Sequence, residues 1–516
     1  MSHSWLLGLH DLKNPPALVG SSFSCAVAAC ARSGRGCAGL VSLLTRQVAL
    51  LGWQAEIRTR IGNEMKSPFK AYDVRGQIPD QINVPFAYRF GQAVASLRSP
   101  SAVVVGHDMR QDSPAFAEAL AQGLLDSGVD VLPVGQCGTE EVYFHTARSG
   151  ADAGLMVTAS HNPESYNGFK MVLKDATAAT RENSLDAIEA LVLSDSPIEK
   201  VPGFASRGAL KPTLERTPYI DRLLQQVAGS QLRPMKIVCH AGNGCAGPVI
   251  DLIEKHLPFE FIKIDHQPDP TLPNGIPNPL LPEKRVRASQ AVVEHGADLG
   301  IAWDGDFDRC FLYDHHGRFI EGYYLVGLIA QTVLGANPGA TILYDPRLTW
   351  NTIDMVTAAG GVAKPCPTGH AFFKRMMREE NAVYGGEMSA HHYFRDFSYC
   401  DSGMLAWLAV VAELSSSGAS LAQLVEQRIA KFPCSGEINF TVADAKVAQE
   451  RVAEHFLPAN PRVEAIDGLS MAFDDWRFNL RASNTEPLLR LNVETRGNAR
   501  LLAKQVAEIS ELIDAA

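Results

Sequence analysis

Ala153-Gly154-Leu155-Met156-Val157-Thr158-Ala159-Ser160-His161-Asn162-Pro163 is the stretch from which the fold can be read outward. Five apolar residues that stop abruptly at small and polar ones predict a buried strand with Ser160 just past its carboxyl end, where open α/β sheets gather their chemistry. Pro163 biases Asn162 toward an extended shape, so the serine is expected on a stiff, exposed bend. Such a hydroxyl can be a nucleophile if a neighbour activates it and something absorbs the charge it develops. A Ser/Asn turn that only caps the backbone would use the same residues. His161, adjacent in sequence, does not favour a triad, whose partners are brought together by the fold.

Upstream, the sequence predicts a helix over Val84–Leu97, a strand over Ala102–Gly106 followed by Asp108 and Arg110, a helix over Pro114–Asp126, a strand over Val129–Val134 and a helix over Glu140–Arg148. Strands alternating with helices predict parallel βαβ units. The rhythm returns at Met235–Cys239, with a helix near Gly247–His256, and at Ala340–Tyr344, with Asp345-Pro346-Arg347 after it. Three related α/β domains in tandem follow from this repetition. From about Ser435 the spacing changes to that of a smaller α+β domain. The divisions drawn are 65–208, 209–312, 313–432 and 433–516.

Residues 1–64 hold only three acidic side chains, Asp11, Glu56 and Glu64, and none of this rhythm. A signal peptide or an acid-poor transit segment would share some of their features. They are expected to be an unstructured extension, with Met65 the natural beginning.

At 516 residues, 46% apolar, 20% charged and net charge −10, the composition is that of a multidomain globular protein. The negative charge excludes a general nucleic-acid binder, whose affinity comes from neutralising phosphates, so basic sites must be local. Ten cysteines without metal-type pairing read as reduced thiols in a cytoplasmic protein. No apolar run is long enough to span a bilayer, and no membrane partner is expected.

Three later motifs carry chemistry. The predicted strand Ala297–Trp303 runs into Asp304-Gly305-Asp306-Phe307-Asp308-Arg309. Carboxylates at alternate positions past a strand end can converge on one hard cation, and their repulsion is costly without it; an acidic, solvated loop is the plainer alternative. The twelfth position counted from Asp304 is His315, which rules out an EF-hand, and Mg²⁺ is the expected ion. Gly369-His370 precedes an amphipathic helix whose Phe372, Phe373, Met376 and Met377 are ordinary core. Glu387, Ser389 and His391 lie at alternate positions of what is expected to be one extended segment, pointing to the same side, as a site for a hydroxyl-rich ligand requires. Finally, Arg481-Ala482-Ser483-Asn484-Thr485-Glu486-Pro487 and Arg490 supply the arginines, hydroxyls and amide of a phosphate clamp.

In this order and at this spacing, Thr158–Pro163, Asp304–Arg309, Gly386–His391 and Arg481–Thr485 resemble the α-D-phosphohexomutase superfamily. The phrases Asn274–Leu280, Gly386–Phe397 and Asp475–Leu480 are similar to its bacterial phosphomannomutases of GDP-mannose and exopolysaccharide synthesis. The resemblance covers Met65 to the C-terminus. It implies four domains around a central cleft, each giving one loop, with Ser160 as a phosphoserine and Asp304, Asp306 and Asp308 holding one Mg²⁺ against it. Arg309 and Lys170 would offset the phosphoryl charge, with His161 beside the catalytic serine. Arg75 and His370 are implied helpers in proton transfer. Tyr72, Arg309, Arg347, Gly369, His370, Glu387, Ser389 and His391 would bind the sugar phosphate, and Arg481, Ser483, Asn484, Thr485 and Arg490 would clamp the phosphate not being transferred.

The implied reaction interconverts mannose 6-phosphate and mannose 1-phosphate through a hexose 1,6-bisphosphate, which also serves as activator. The implied partners are small hexose phosphates, and the chain is expected to be a monomer or weak homodimer. A dual-specificity or dedicated phosphoglucomutase, a metal-dependent phosphatase and an inactive sugar-phosphate-binding protein are the alternatives to be separated by experiment.

Overall fold

The computed structural model describes residues 67–198, 206–482 and 488–514. The expected extension over 1–64, together with Cys25, Cys30 and Cys37, lies outside them. The first sheet comprises β1 (Asp73–Gln77), β2 (Ala102–His107), β3 (Asp130–Gln136), β4 (Ala153–Val157) and β5 (Tyr166–Leu173), ordered β1-β5-β4-β2-β3, with β6 (Thr177–Ala178) paired to β5. The second comprises β7 (Lys236–His240), β8 (Glu260–Ile264), β9 (Leu299–Trp303), β10 (Cys310–Asp314) and β11 (Phe319–Ile320), ordered β11-β10-β9-β7-β8. The third comprises β12 (Thr341–Tyr344), β13 (Val362–Pro365), β14 (Tyr384–Gly386), β15 (His392–Phe394) and β16 (Cys400–Asp401), ordered β13-β12-β14-β15-β16.

These are three copies of one topology. In the first, β3, β2 and β4 pair parallel, and β4, β5 and β1 pair antiparallel. The second copy repeats this with β8, β7 and β9 parallel and β9, β10 and β11 antiparallel. The third does so with β13, β12 and β14, then β14, β15 and β16. Only the last position of the first sheet differs, since β1 comes from upstream. In every copy the third parallel strand therefore turns back into an antiparallel fourth, and the turn lies at the carboxyl end of the parallel set. The fourth sheet is wholly antiparallel: β17 (Cys434–Thr441), β18 (Arg462–Glu464), β19 (Leu469–Ala472), β20 (Trp476–Ala482) and β21 (Leu488–Thr495), ordered β17-β21-β20-β19-β18. The fold is α/β in three tandem domains with a C-terminal α+β domain.

The apolar run of β4 follows from helices on both faces of the sheet. Leu155 and Val157 join Phe116, Leu120 and Leu124 of the helix Ser113–Asp126, while Met156 joins Val142 of the helix Thr139–Ser149. Two of the divisions drawn from sequence cut paired backbone. Residues 209–214 run along the edge of β3, with Val131 N–H donating to Ala209 O and Leu214 N–H to Pro133 O. The division at 312 falls inside β10, and the second sheet continues to Ile320 because β10 folds back on β11. Both were invisible in sequence because short edge segments carry little periodicity.

Among the described residues no single helix is long and apolar enough to cross a membrane. The bent pair Gly403–Ser417 and Leu421–Lys431 has suitable composition, but Leu405, Trp407, Leu408 and Val411 lie fully within the core. The described cysteines are free thiols.

Candidate active site

The three equivalent turns meet. The turn between β4 and β5 carries Ser160, the turn between β9 and β10 carries Asp304, Asp306 and Asp308, and the turn between β14 and β15 carries Glu387, Ser389 and His391. Ser160 Oγ donates to Asp304 Oδ2 at 2.9 Å. The second and third turns are joined by a backbone bridge between Arg309 and His391, with Cys310 N–H donating to Ala390 O at 3.2 Å.

Ser160 is not exposed as its bend led us to expect; its relative exposure is 0%. The aspartate turn covers it so closely that a Cβ at Gly305 would stand 2.9 Å from Ser160 O. Its φ of 51° is left-handed, a conformation disfavoured for L-residues other than Gly, Asn and Asp. Thr158 Oγ1 accepts from Ser160 N–H and donates to Asp108 Oδ2 at 2.6 Å. His161 Nδ1 lies 3.0 Å from Ser160 Oγ and also meets Arg309. Burial and then Arg309 push this imidazole well below its ordinary pKa, so it is neutral.

The aspartate trio converges as its spacing predicts, with one carboxylate oxygen from each within 4.8 Å of the others. All three side chains are buried. Lys170 Nζ, on β5, donates at 2.6 Å to both Asp306 Oδ2 and Asp308 Oδ2. Burial works against the lysine's charge, but the two aspartates outweigh it and raise its pKa. Thr139 Oγ1 donates to Asp306 Oδ2 at 2.5 Å, and Thr139 N–H to Asp306 O at 3.1 Å. Asp306 Oδ1 and Asp308 Oδ1 have no hydrogen-bond partner among the described residues. Burial, against the nearby Arg309, raises Asp304 to about 7. Buried hard oxygen donors with two open atoms fit a small divalent cation of the Mg²⁺ kind.

The third turn corrects the sequence reading. Residues 387–391 are a tight hairpin turn and not an extended segment: Ala390 N–H donates to Glu387 O, Glu387 N–H to His391 O, and Ala390 has φ 72°. The three side chains still gather. Arg347 Nη2 lies 3.3 Å from Ser389 Oγ and 3.8 Å from Glu387 Oε2. Glu387 accepts from Tyr393 OH at 2.5 Å and Gly369 N–H at 3.2 Å, and His391 Nδ1 is 3.6 Å from its Oε1. His391 Nε2 is 3.6 Å from Asp308 Oδ1, which ties the sugar-side turn to the aspartates. Burial raises Glu387 to about 7 despite Arg347, and holds the His391 ring neutral, helped by Arg309.

Tyr72 and His370 form an edge-to-face pair at 4.6 Å. Gly369, at φ 128°, leaves room for this pair, since a Cβ there would stand 2.8 Å from Tyr72 Oη. Neither ring nitrogen of His370 has a hydrogen-bond partner among the described residues, and burial with the Lys374 charge keeps the ring unprotonated. Arg75 lies on the serine side, with Nη1 donating to Asn162 Oδ1 at 2.7 Å and Nε to Asp73 at 2.8 Å. Burial opposes its charge, but Asp73, Asp306 and Asp308 raise its pKa. It is held as a cation beside the serine turn.

In the fourth sheet Arg481 Nη1 donates to Asp467 Oδ2 at 3.2 Å, and the same carboxylate accepts from Thr368 N–H at 3.3 Å. Arg490 Nε lies 3.9 Å from Glu437 Oε1, and Arg347 Nη1 donates to Glu437 Oε2 at 3.2 Å. Ser483, Asn484 and Thr485 lie outside the described residues.

Sequence reasoning missed the residues beneath the turns. Asp108 and Asp345 each accept from the N–H two residues on, at 2.9 and 3.0 Å. Each also pins its own turn: Asp108 Oδ2 holds Thr158, and Asp345 Oδ2 accepts Met388 N–H at 2.6 Å. The signal was present as Asp-x-Arg after the first parallel strand in both copies. No local signal marks Thr139, which meets Asp306 only through the tertiary fold.

Comparison with known proteins agrees with this geometry. Four family models described as phosphoglucomutase/phosphomannomutase alpha/beta/alpha domains I, II and III and C-terminal domain match residues 66–198, 217–317, 321–432 and 437–512. A protein named phosphohexose mutases from Xanthomonas campestris pv. campestris is 56% identical over 445 residues, 86% of this chain and 98% of that one. A phosphomannomutase of Salmonella typhimurium is 52% identical over 453 residues, with the same coverage of 86% and 98%. The crystal structure of a phosphoglucomutase/phosphomannomutase family protein from Burkholderia thailandensis superposes with TM-score 0.75 at 31% identity, covering 87% of this chain and 97% of that one.

Proposed function

The chain belongs to the phosphoglucomutase/phosphomannomutase family, and we propose that as a phosphomannomutase it interconverts mannose 6-phosphate and mannose 1-phosphate by lending and reclaiming a phosphoryl group at Ser160. The observation that carries this reading is the contact of Ser160 Oγ with Asp304, one of three converged, buried carboxylates.

Phospho-Ser160 passes its phosphoryl group to the free hydroxyl of the bound hexose phosphate, breaking the Oγ–P bond and forming the 1,6-bisphosphate. The sugar then turns end for end and returns its other phosphoryl group to Ser160 Oγ. Phosphoryl transfer of this kind depends on positioning and charge neutralisation more than on covalent help. One Mg²⁺ held by Asp304, Asp306, Asp308 and the phosphoserine would draw charge from the transferring group. Lys170 and Arg309 add fixed positive charge on the same side. The proton released by the sugar hydroxyl has three neutral imidazoles within the site to receive it, His161, His370 and His391. Glu387, Ser389 and His391 hold sugar hydroxyls, while Arg347, Arg481 and Arg490, with Ser483, Asn484 and Thr485, bind the spectator phosphate. Sugar phosphates as substrates and free thiols both suit a cytoplasmic enzyme.

A second reading is favoured by the family description, phosphoglucomutase/phosphomannomutase, and by the 56% identical relative named for phosphohexoses: the enzyme also accepts glucose phosphates. Mannose and glucose differ in one hydroxyl orientation, which a few hydrogen bonds discriminate weakly. The experiment is a coupled assay with mannose 1-phosphate and glucose 1-phosphate, each with Mg²⁺ and glucose 1,6-bisphosphate, scoring isomer and inorganic phosphate in the same reaction. Isomer without phosphate release supports the mutase. Phosphate release in step with sugar consumption would make it a phosphatase, and binding without either product would leave only a sugar-phosphate-binding protein.

A further inference from the structure

We propose that Arg110 is the positioning residue that fixes Ser160 for phosphoryl transfer, a role that rests on Ser160 being the phosphoryl carrier. Its guanidinium is buried, with 4% exposure, and it gathers the carbonyl oxygens of the serine turn. Nη1 donates to Pro163 O at 2.9 Å and Tyr166 O at 3.0 Å, and Nη2 to Ser160 O at 2.9 Å and Asn162 O at 2.5 Å. Asp108 Oδ2 lies 3.4 Å from its Nε, and Asp108 Oδ1 accepts from its backbone N–H.

Four carbonyls between Ser160 and Tyr166 need donors; Pro163 O also accepts from Tyr166 N–H at 3.0 Å, and the guanidinium supplies a donor to each of the four. A planar guanidinium can serve all four at once from two nitrogens, and an ammonium cannot. The bond to Ser160 O matters most. It holds the peptide after Ser160 while Thr158 Oγ1 holds the N–H before it, so the left-handed serine is fixed from both sides and Oγ is aimed at Asp304. The equivalent arginine of the third copy, Arg347, also reaches Ser389 and Glu387. The same Asp-x-Arg turn thus supplies a ligand-facing arginine in one copy and a scaffold arginine in the other. Both terminal nitrogens of the Arg110 guanidinium are spent on the serine turn.

The test measures uptake of labelled phosphate at Ser160 from glucose 1,6-bisphosphate, alongside steady-state kinetics, in wild-type enzyme, Arg110→Lys and Arg110→Ala. With Arg110→Ala we expect Ser160 phosphorylation and kcat to fall about 30-fold or more, while KM for mannose 1-phosphate stays within about threefold. Arg110→Lys should not restore the rate, and methylguanidinium added to Arg110→Ala should restore it where ammonium does not. Arg110→Lys keeps the charge and stem, and serves if the alanine variant does not fold. Unimpaired labelling and kcat in the folded variants, or a KM that rises as much as kcat falls, would overturn the proposal. Wild-type enzyme that takes no label at Ser160 would instead overturn the premise.

Discussion

Ser160 shows how a common residue is made uncommon by its neighbours. The hydroxyl lies against a carboxylate and a neutral imidazole, in a left-handed backbone, under a turn from another domain. Ser160→Ala should lower turnover by at least about 10³-fold, measured by the coupled assay. The residue-scale geometry also separates the two oxygens of Asp306. Thr139 and Lys170 occupy Oδ2, and Oδ1 is left open. Thr139→Val should therefore weaken Mg²⁺ binding about 10-fold in titration calorimetry, with Thr139→Ser close to wild type. Unchanged affinity in the valine variant would mean that the hydroxyl does not orient the carboxylate. The aspartates and the serine could be read from sequence because their chemistry is written in consecutive residues. Thr139 and the burial of Ser160 could not, since each is produced by residues far apart in sequence.

At the scale of elements, the strand–turn–helix rhythm was legible, and so was its threefold repetition. What periodicity did not reveal is that the reactive residues sit in the same turn of each copy, between the third parallel strand and its antiparallel successor. Glu387 to His391 was misread for a related reason: alternate polar residues suit an extended strand and a hairpin turn equally, and only the pairing of β14 with β15 decides. Glu140 links elements of all three copies. It accepts from Tyr219 OH at 2.5 Å, in the helix Thr217–Gln225, and from Ser402 Oγ at 2.7 Å and Met404 N–H at 3.3 Å, at the start of the helix Gly403–Ser417. Burial raises its carboxyl from 4.5 to about 8, against these three donors. A carboxyl raised on folding stabilises fully below its unfolded value, and that contribution is lost as pH rises through the folded one. Burial holds several histidines neutral and so acts the other way; the urea midpoint of the wild type should therefore fall relative to that of Glu140→Gln between about pH 5 and 8. An equal slope in both proteins would remove Glu140 as a source of pH dependence.

At the scale of the whole molecule, the site exists only while the domains stay docked. The fourth sheet is fastened to the third by Arg477, whose guanidinium donates to Arg347 O, Pro346 O and Glu494 Oε1, each at 2.9 Å. Glu494 in turn accepts from Thr349 N–H and meets Tyr323 OH. Both charges are buried, so Arg477→Met should cost about 3–5 kcal/mol in unfolding free energy. It should also raise KM for sugar phosphate, because the Arg347 turn loses its anchor; denaturant unfolding and steady-state kinetics check the two effects. The most direct measurement on the enzyme is a single turnover. Protein labelled with phosphate at Ser160 is mixed with unlabelled mannose 6-phosphate and quenched at successive times. Label should leave Ser160 at least as fast as turnover and appear in the hexose bisphosphate and mannose 1-phosphate. Label that stays on the serine through many turnovers, or leaves only as inorganic phosphate, would contradict the role of Ser160 as the carrier.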